Sequence, residues 1–373
     1  MRRIHSLRFV TESEQTLTSR VDLSLRKRLF LIAIYLLFIT GLCWLGMKVF
    51  WKFRYSVPLT KTTQQMDLYE FHYPELWSTG AADAEVAPDD NIFDVLLLGG
   101  SVLEQVSEEF EQQLHNCFED EFGLQVRVFT LSKSAHTSRD SFLKYIKLSD
   151  KQFDLVVVYH GINDVRMNCC PESVFKDDYT HCAWYRSLQR RLAAGKLTIP
   201  GLIREQTANV FALGEPEDKF LEFGGTIKTA RPFRHNLEKI VWSAHVKDQI
   251  VLLMTFAFFV PTDYSQEKFK RGELDYRPGR YHFPLETWGK PCHVVATIKA
   301  HNAQIRDLVK QYDTLIFVDQ HRQLQLDGRH FSDPCHLTDV GCRAFVANML
   351  PPILKRISAH DERTSVSHQY RTD

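Results

Sequence analysis

Residues 93–101 have the sequence FDVLLLGGS, an apolar run that ends in two glycines and a serine. Hydrophobicity that is continuous rather than alternating predicts a strand covered on both faces, as in a parallel sheet. The glycines permit a sharp turn at the end of that strand. The next residues, Val102 to Phe122, carry apolar side chains at helical spacing. Ser101 is therefore expected at a helix N-terminus, where backbone N–H groups favour an oxyanion. A turn with a capping serine is the structural alternative.

Four other short apolar runs have the same character, and helical stretches separate them. Alternating strands and helices predict a three-layer α/β/α sandwich around a five-stranded parallel sheet, with right-handed crossovers. The predicted strands are Phe93–Leu98, Val126–Leu131, Leu155–Tyr159, Ile250–Thr255 and Leu315–Val318. The main predicted helices are Val102–Phe122, Ser138–Leu148, Leu285–Tyr312 and Thr338–Ile357.

A second polar motif, Gly161-Ile-Asn163-Asp164, directly follows the third predicted strand. The side-chain amide of Asn163 is a suitable donor to an oxyanion. Asp164 is expected to cap or orient neighbouring groups rather than to take part in catalysis. An ordinary Asx turn explains the same residues without any catalytic role.

A third polar motif, Asp333-Pro-Cys-His336, precedes the last predicted helix. A serine nucleophile needs a base that takes its proton, and the base needs a carboxylate that fixes its tautomer. Asp333 and His336 are three residues apart, so one turn of chain brings both to the same side. The alternative is a helix capped by Thr338, with an incidental histidine. Together, the three motifs are expected to gather at the carboxyl edge of one sheet, where open α/β folds place their sites.

These motifs resemble the blocks of the SGNH (GDSL-type) hydrolase family, of the membrane-anchored bacterial type. The resemblance covers roughly Asn91 to Ile357, apart from a long insertion, and rests on the matches Gly99-Gly100-Ser101, Gly161-Ile-Asn163-Asp164 and Asp333-Pro-Cys-His336. It implies a flavodoxin-like sandwich preceded here by one transmembrane helix. It also implies hydrolysis of esters or other acyl compounds without a metal or another cofactor.

The resemblance also implies roles for individual residues. It makes Ser101 the nucleophile, His336 the base and Asp333 the acid that orients the base. The implied oxyanion hole consists of Ser101, Ala135 and Asn163, and the implied supporting residues are Gly100, Gly161 and Asp164.

Two positions depart from the family pattern. Ala135 stands where the family usually has a glycine whose backbone N–H contacts the oxyanion. A backbone donor needs no particular side chain, so Ala135 is expected to serve if its φ angle is below zero. The first block has Gly100 before the nucleophile in place of the common aspartate, so that position offers no carboxylate.

The expected function is therefore that of a serine esterase acting on acyl or acetyl groups of an ester-containing small molecule, lipid or glycan. One alternative is an envelope polysaccharide O-acyltransferase that uses the same residues. Others are a membrane-anchored binding module with a relic site, and a scaffold whose α/β domain is structural. The 46 basic and 46 acidic side chains balance, which gives no electrostatic argument for nucleic acid as a partner.

An uncharged apolar run, Leu29 to Met47, precedes the predicted sheet. Nineteen residues of helix rise about 28 Å, close to the hydrocarbon thickness of a bilayer. The sequence predicts a single-pass transmembrane helix over 29–51. A cleaved signal peptide is the alternative, but lysines and aromatic residues follow the run where small residues are expected. The basic cluster Arg26–Arg28 favours an N-terminus inside the cell and a large domain outside, periplasmic or at the cell surface.

The remaining segments complete the predicted organisation. Residues 1–28 are expected to be a cytoplasmic tail, 52–90 a linker, 91–358 the hydrolase-like domain and 359–373 a C-terminal tail. An insertion is expected at about 165–247, with helices near Leu188–Ala194 and Phe233–His245, because the connection between the third and fourth strands is too long for an ordinary loop.

Side chains in the insertion leave further alternatives open. Its aromatic and basic residues, Trp184, Tyr185, Arg186, Arg190 and Arg191, are expected on an ordinary solvated helix, with a pocket wall as the alternative. The closely spaced Cys169, Cys170 and Cys182 are compatible with a local disulfide. A zinc site from these cysteines and His181 is disfavoured, because the spacing fits no common ligand pattern.

Overall fold

The structure, a computed structural model, describes residues 13–55, 68–87, 91–194, 203–205, 207, 218–312 and 314–369. The chain divides into two compact units, Met1–Met66 and Asp67–Asp373. The predicted N-terminal tail lies outside the described residues up to position 12, and the predicted linker does so over 56–67 and 88–90.

The first unit consists, in its described part, of one α-helix, α1 (Ser13–Tyr55). Its segment Lys27–Phe53 has 27 residues, so it is about 40 Å long, and its most apolar stretch is not buried. By length and composition it suits a membrane span or a signal sequence. The helix begins at Ser13, so the tail expected over residues 1–28 is helical from that residue onward.

The second unit contains a five-stranded parallel sheet in the order β2-β1-β3-β4-β5. This order is that of flavodoxin-like folds, and it confirms the predicted architecture. Adjacent residues of β1 point to opposite faces, and both faces are covered by helices, which explains why the strand sequences are apolar throughout. The strands are β1 (Ile92–Gly99), β2 (Gln125–Thr130), β3 (Leu155–Tyr159), β4 (Ile250–Met254) and β5 (Ile316–Val318).

Helices cover both faces of the sheet. Among the described residues of the second unit, the helices with defined bounds are α2 (Leu68–His72), α3 (Glu75–Ser78), α4 (Ser101–Glu121), α5 (Ser138–Lys147), α6 (Ile162–Val165), α7 (Ala183–Ala194), α8 (Ala230–Val246), α9 (Gln266–Arg271), α10 (Pro291–Val309), α11 (Gln320–Gln323) and α12 (Asp339–Gln369). Short 3₁₀ turns span Arg166–Asn168, Glu172–Val174, Asp218–Gly225 and Leu285–Thr287. Helices α4 and α12 pack on one face, and α5 and α8 pack on the other.

Two predicted helix boundaries were wrong. The helix expected over Leu285–Tyr312 begins only at Pro291, because Gly289 has a φ of +149° and proline suits the first helical turn. The last helix continues to Gln369, so most of the C-terminal tail expected over 359–373 is helical. Residues 370–373 lie outside the described part of the chain.

The segment expected to be a linker over 52–90 contributes to the core of the second unit. Tyr73 and Leu76 are fully buried between α5 and the sheet, and Ala81 and Val86 are buried as well. Prolines and small residues favoured a linker in the sequence, but the few apolar side chains between them are enough to anchor this segment.

The insertion is shorter than the predicted range of 165–247. Helix α8 buries Phe233, Leu237 and Ile240 against the sheet, so it is the crossover helix between β3 and β4. The two helices expected near Leu188–Ala194 and Phe233–His245 are present as α7 and α8. Residues 195–202, 206 and 208–217 lie outside the described residues.

Candidate active site

Ser101 is the first residue of α4, directly after the end of β1. A Cβ atom on Gly99 would lie 2.7 Å from the Cβ of Leu103 and 3.0 Å from the carbonyl oxygen of Tyr159. Only glycine permits the helix to start this close to the neighbouring strand. The backbone N–H groups of the first helical turn have no partner within the helix, so they face whatever binds at Ser101.

Ser101, His336 and Asp333 form one continuous chain of hydrogen bonds. The Oγ atom of Ser101 lies 2.8 Å from Nε2 of His336, and Nδ1 of His336 lies 2.7 Å from Oδ2 of Asp333. Ser101 is 8% exposed, His336 1% and Asp333 not at all. The structure therefore brings together three residues that the sequence spreads over 235 positions.

The Asp333 carboxylate accepts further hydrogen bonds from three backbone N–H groups. Oδ1 accepts from Cys335 and His336 at 2.9 and 2.8 Å, and Oδ2 accepts from Phe283 at 2.9 Å. Burial alone would raise the pKa of Asp333, but the hydrogen bond and the charge of His336 outweigh it and lower the pKa below its ordinary value. Asp333 is thus an anion that can fix the Nδ1–H tautomer of His336.

Both ends of the Asn163 side-chain amide form hydrogen bonds. The indole Nε1–H of Trp288 donates to Oδ1 at 3.3 Å, and Nδ2 donates to the carbonyl oxygen of His136 at 2.9 Å. These bonds fix which end of the amide carries the protons and leave the second N–H of Nδ2 for another acceptor. Asn163 is only 9% exposed, so water has little access to this second N–H group.

The short side chain at position 100 is explained by Asn163. A Cβ atom on Gly100 would lie 2.8 Å from Nδ2 of Asn163 and 3.5 Å from the carbonyl oxygen of His136. The amide therefore lies directly beside the backbone that precedes Ser101. The Gly-Gly-Ser sequence follows from this contact, because any side chain at Gly100 would displace Asn163.

Ala135 lies in the turn between β2 and α5, and its φ angle is +67°. The condition that the sequence set for Ala135, a φ angle below zero, is therefore not met. The turn reverses the chain within a few residues, with Lys133 N–H bonded to Gly99 O and His136 N–H to Lys133 O. This left-handed conformation costs an alanine about 1–2 kcal/mol. Among the described residues, no acceptor binds the Ala135 N–H.

Gly161 and Asp164, two of the expected supporting residues, position the backbone near Asn163. A Cβ atom on Gly161 would lie 2.4 Å from the ring of Phe256, so glycine is required by close packing. The buried Asp164 carboxylate accepts from Ser138 N–H and Oγ–H at 2.9 and 2.6 Å, and from Tyr179 O–H at 2.9 Å. Burial raises the pKa of Asp164 to about 6. Asp164 thereby ties the start of α5 to the loop that carries Asn163.

Aromatic side chains cover the other side of His336. The ring of Tyr281 lies 4.4 Å from the imidazole, and Phe283 and Trp288 lie 5.8 and 6.4 Å from it. The Tyr281 hydroxyl is 3.2 Å from Oγ of Ser134, across the site. Sequence analysis missed these residues, because no motif marks an aromatic side chain in a loop.

A cavity of about 310 Å³ lies on the side of Ala135 and Asn163. Part of its wall comes from the insertion, with Trp184 and Tyr185 of α7 among the lining residues. Tyr185 is buried, and its hydroxyl donates to Asp140 at 2.6 Å. The pocket-wall alternative therefore holds for Trp184 and Tyr185, although Trp184 is also 45% exposed, whereas Arg190 is exposed as expected for a solvated helix.

The cysteines do not form the local disulfide that the sequence permits. All eight are free thiols, with Cys169 near the carbonyl oxygen of Trp288 and Cys182 near the sulfur of Met167. Donor atoms of Asp333, Cys335 and His336 lie within 4.8 Å of one another, a spacing that a metal could use. Nδ1 of His336 and Oδ2 of Asp333 already share a hydrogen bond at 2.7 Å, and burial raises the pKa of the Cys335 thiol well above its ordinary value.

Comparisons with known proteins give fold-level similarities. No protein-family model and no curated protein matches the sequence. A GDSL-like lipase from Bacteroides thetaiotaomicron is 17% identical, with 76% of this chain and 97% of that chain covered at a TM-score of 0.43. An acetylxylan esterase from Geobacillus stearothermophilus is 12% identical, with 70% and 93% covered at 0.40. A lipase/acylhydrolase from Enterococcus faecalis is 13% identical, with 70% and 96% covered at 0.37.

Proposed function

We propose that this chain is a serine esterase of the SGNH type, which cleaves acyl or acetyl esters of a lipid, glycan or smaller molecule. The observation that supports it most is the unbroken hydrogen-bond chain from Ser101 through His336 to Asp333. Its serine lies at a helix N-terminus beside the fixed amide of Asn163. Nucleophile, base, orienting acid and anion-stabilising donors thus lie within one small volume, which acyl transfer requires.

The proposed reaction has two halves. His336 takes the proton of Ser101 as the hydroxyl oxygen attacks the ester carbonyl, and Asp333 stabilises the resulting imidazolium. The oxyanion of the tetrahedral intermediate accepts hydrogen bonds from Ser101 N–H and Asn163 Nδ2. The Ala135 N–H is proposed as a third donor despite its positive φ angle, because a backbone donor depends on the direction of its N–H and not on its side chain. His336 then protonates the leaving alcohol. Water attacks the acyl-serine in the second half, with His336 as general base. Attack by a sugar hydroxyl instead would make the same site an O-acyltransferase.

The deciding experiment uses the full chain in detergent with p-nitrophenyl acetate and butyrate. Ser101→Ala should lower kcat/KM by at least about 10⁴-fold, because the nucleophile and its proton transfer are both lost. Labelling by a fluorophosphonate should disappear with it. The matched control is Ser107→Ala, on the same helix, whose hydroxyl only bonds to the Glu104 carbonyl.

Each alternative has its own outcome in this assay. A folded wild-type chain that neither hydrolyses esters nor takes the label would contradict the esterase and favour a binding module. Faster acyl release when a glycan acceptor is added, with the acyl group recovered on the glycan, would favour the transferase.

We also propose that α1 anchors the chain in a membrane, with the catalytic domain on the extracytoplasmic side. Support comes from the length and apolarity of Lys27–Phe53 and from the basic residues at 26–28. Membranes washed with alkaline carbonate should retain the full-length chain. Labelling of the exposed Cys292 by an impermeant maleimide in intact cells should succeed, whereas protection of Cys292 until lysis would reverse the orientation.

A further inference from the structure

A fully buried lysine lies behind the oxyanion side of the site. Lys144 has no exposed surface, and its ammonium group contacts the Leu131 carbonyl oxygen, Oε1 of Glu75 at 3.2 Å and Nδ1 of His136 at 3.0 Å. Burying an ammonium group is expensive unless every proton has an acceptor. Here three acceptors surround it, so the group is satisfied only if His136 is one of them.

This contact fixes the tautomer of His136. Burial lowers the pKa of Lys144, and the charge of Glu75 opposes this shift. With Lys144 protonated, its ammonium group donates three hydrogen bonds and accepts none, so Nδ1 of His136 is the acceptor and the ring proton is on Nε2. Burial and the nearby Lys144 charge lower the pKa of His136, which keeps the ring neutral near pH 7. The ring of Tyr73 packs edge-on against it at 5.7 Å and restrains its orientation.

The Nε2–H group of His136 is available to a ligand. Within the described residues it has no hydrogen-bond partner, and it is not among the enclosed nitrogen atoms that lack one. His136 lines the 310 Å³ cavity together with Ala135 and Asn163, two of the three donors of the proposed oxyanion hole. Its carbonyl oxygen also accepts the Asn163 amide, so side chain and backbone of one residue serve the same region.

The position of the cavity indicates which half of an ester it receives. His336 must reach the leaving oxygen, so the alcohol half lies on the side of Tyr281, Phe283 and Trp288, which border the imidazole. The cavity is lined by neither Ser101 nor His336 and lies past the oxyanion donors. The acyl half is the part of the substrate that extends there.

We propose that His136 donates a hydrogen bond from Nε2 to an oxygen atom on the acyl group, so that this esterase selects oxygen-bearing acyl groups over plain alkyl chains. The inference rests on the function proposed above and specifies its substrate. The cavity offers one further feature for such a group, since the half-exposed ring of Trp184 also lines it. A wall with a fixed donor penalises an acyl chain that leaves the donor unpaired.

Isosteric ester pairs test the proposal in the full chain. The p-nitrophenyl esters of methoxyacetate and butyrate differ by one ether oxygen in place of a methylene, as do those of 3-methoxypropionate and pentanoate. For each pair the measured quantity is the ratio of kcat/KM values, polar over apolar. Comparing this ratio between variants removes the intrinsic reactivity of the esters. His136→Phe should lower the ratio of at least one pair by about tenfold, the loss of one hydrogen bond.

Two matched variants sharpen the test. His136→Gln keeps an N–H donor near the position of Nε2, so it should retain more of the ratio than His136→Phe. His115→Phe replaces an exposed histidine on α4, 14 residues after Ser101, and should leave both ratios at the wild-type value. Fluorophosphonate labelling of each variant counts the intact sites and corrects for any fraction that fails to fold.

The two proposals fail in different ways. Ratios that stay constant in His136→Phe for both pairs, with hydrolysis still abolished by Ser101→Ala, would overturn the role of His136 and leave the esterase intact. Hydrolysis of all four esters that survives in Ser101→Ala would overturn the esterase mechanism and the His136 assignment together.

Discussion

Different kinds of side chain surround Ser101 on its two sides, aromatic on one and charged on the other. On the His336 side, the rings of Tyr281, Phe283 and Trp288 surround the imidazole with apolar surface. On the opposite side, Glu75 and Lys144 form a buried polar cluster behind the proposed oxyanion donors. The comparison teaches that covering a base and positioning a donor need different surroundings. Rings exclude water from the base, whereas a network of charges fixes the direction of each N–H group.

One residue joins the two sides. Asn163 accepts from Trp288 on the aromatic side and donates to the carbonyl oxygen of His136 on the polar side. These two hydrogen bonds therefore fix the direction of its remaining N–H group. Among the residues that surround the proposed triad without belonging to it, Asn163 should affect catalysis most strongly, and changes within either side alone should have smaller effects.

The largest expected effect is on turnover in Asn163→Ala, which removes both connections and one oxyanion donor. Loss of one such donor costs about 10²–10³-fold in kcat, so kcat toward p-nitrophenyl butyrate should fall by that factor. Asn116→Ala, an exposed position on α4, is the control. Unchanged turnover in a folded Asn163→Ala protein would remove Asn163 from the site.

The second effect is a loss of stability at acid pH. It arises from buried neutral histidines, two of which lie on the polar side. Burial and the charge of Lys144 lower the pKa of His160 to about 3, and burial and Arg191 do the same for His72. Burial lowers the pKa of His301, near α8, to about 3 as well. In the unfolded chain these rings take up a proton below pH 6.5, whereas in the folded chain they do so only near pH 3.

Because the unfolded state binds more protons, the free energy of unfolding should fall as pH drops from about 6.5 toward 3. Each histidine should contribute about 1.4 kcal/mol per pH unit to that slope. Urea unfolding at pH 7.5, 6.5 and 5.5 measures it. His160→Gln should make the slope shallower by one histidine, and His115→Gln should not. A flat profile down to pH 5 would show that these rings are not buried and neutral.

The smallest effect concerns the strained turn on the polar side. Ala135→Gly should relieve about 1–2 kcal/mol of left-handed strain and lose about 0.4–1 kcal/mol through the freer unfolded chain. A net gain of about 0.5 kcal/mol in the free energy of unfolding is expected, together with little change in kcat. Ala244→Gly, within α8 and buried, should instead lose at least about 1 kcal/mol. Destabilisation by Ala135→Gly would contradict the positive φ angle.

Features that depend on one local sequence pattern were predictable. Continuous apolar runs predicted all five strands to within one or two residues, because both faces of the sheet are buried. The Asp333–His336 pair was predictable from its spacing, since both residues lie in one short loop. Ser101 was predictable from the glycines that let a helix start at the end of a strand.

Features that depend on contacts between distant segments were not predictable from the sequence. Glu75 lies in a stretch whose prolines favoured a linker, yet it contacts Lys144, 69 residues away. The positive φ angle of Ala135 was not predictable, because the residue type favours negative values and only the packed turn imposes the positive one. Tyr281 reaches His336 through a loop without periodicity.

The eight free thiols bear on how the protein can be made. Five of them are buried. Burial raises the pKa of Cys169 to about 11 and that of Cys342 to about 12, and thiols in this state react slowly with oxidants. Thiol reductants should therefore leave the fold of the described residues unchanged, so the protein can be purified in their presence.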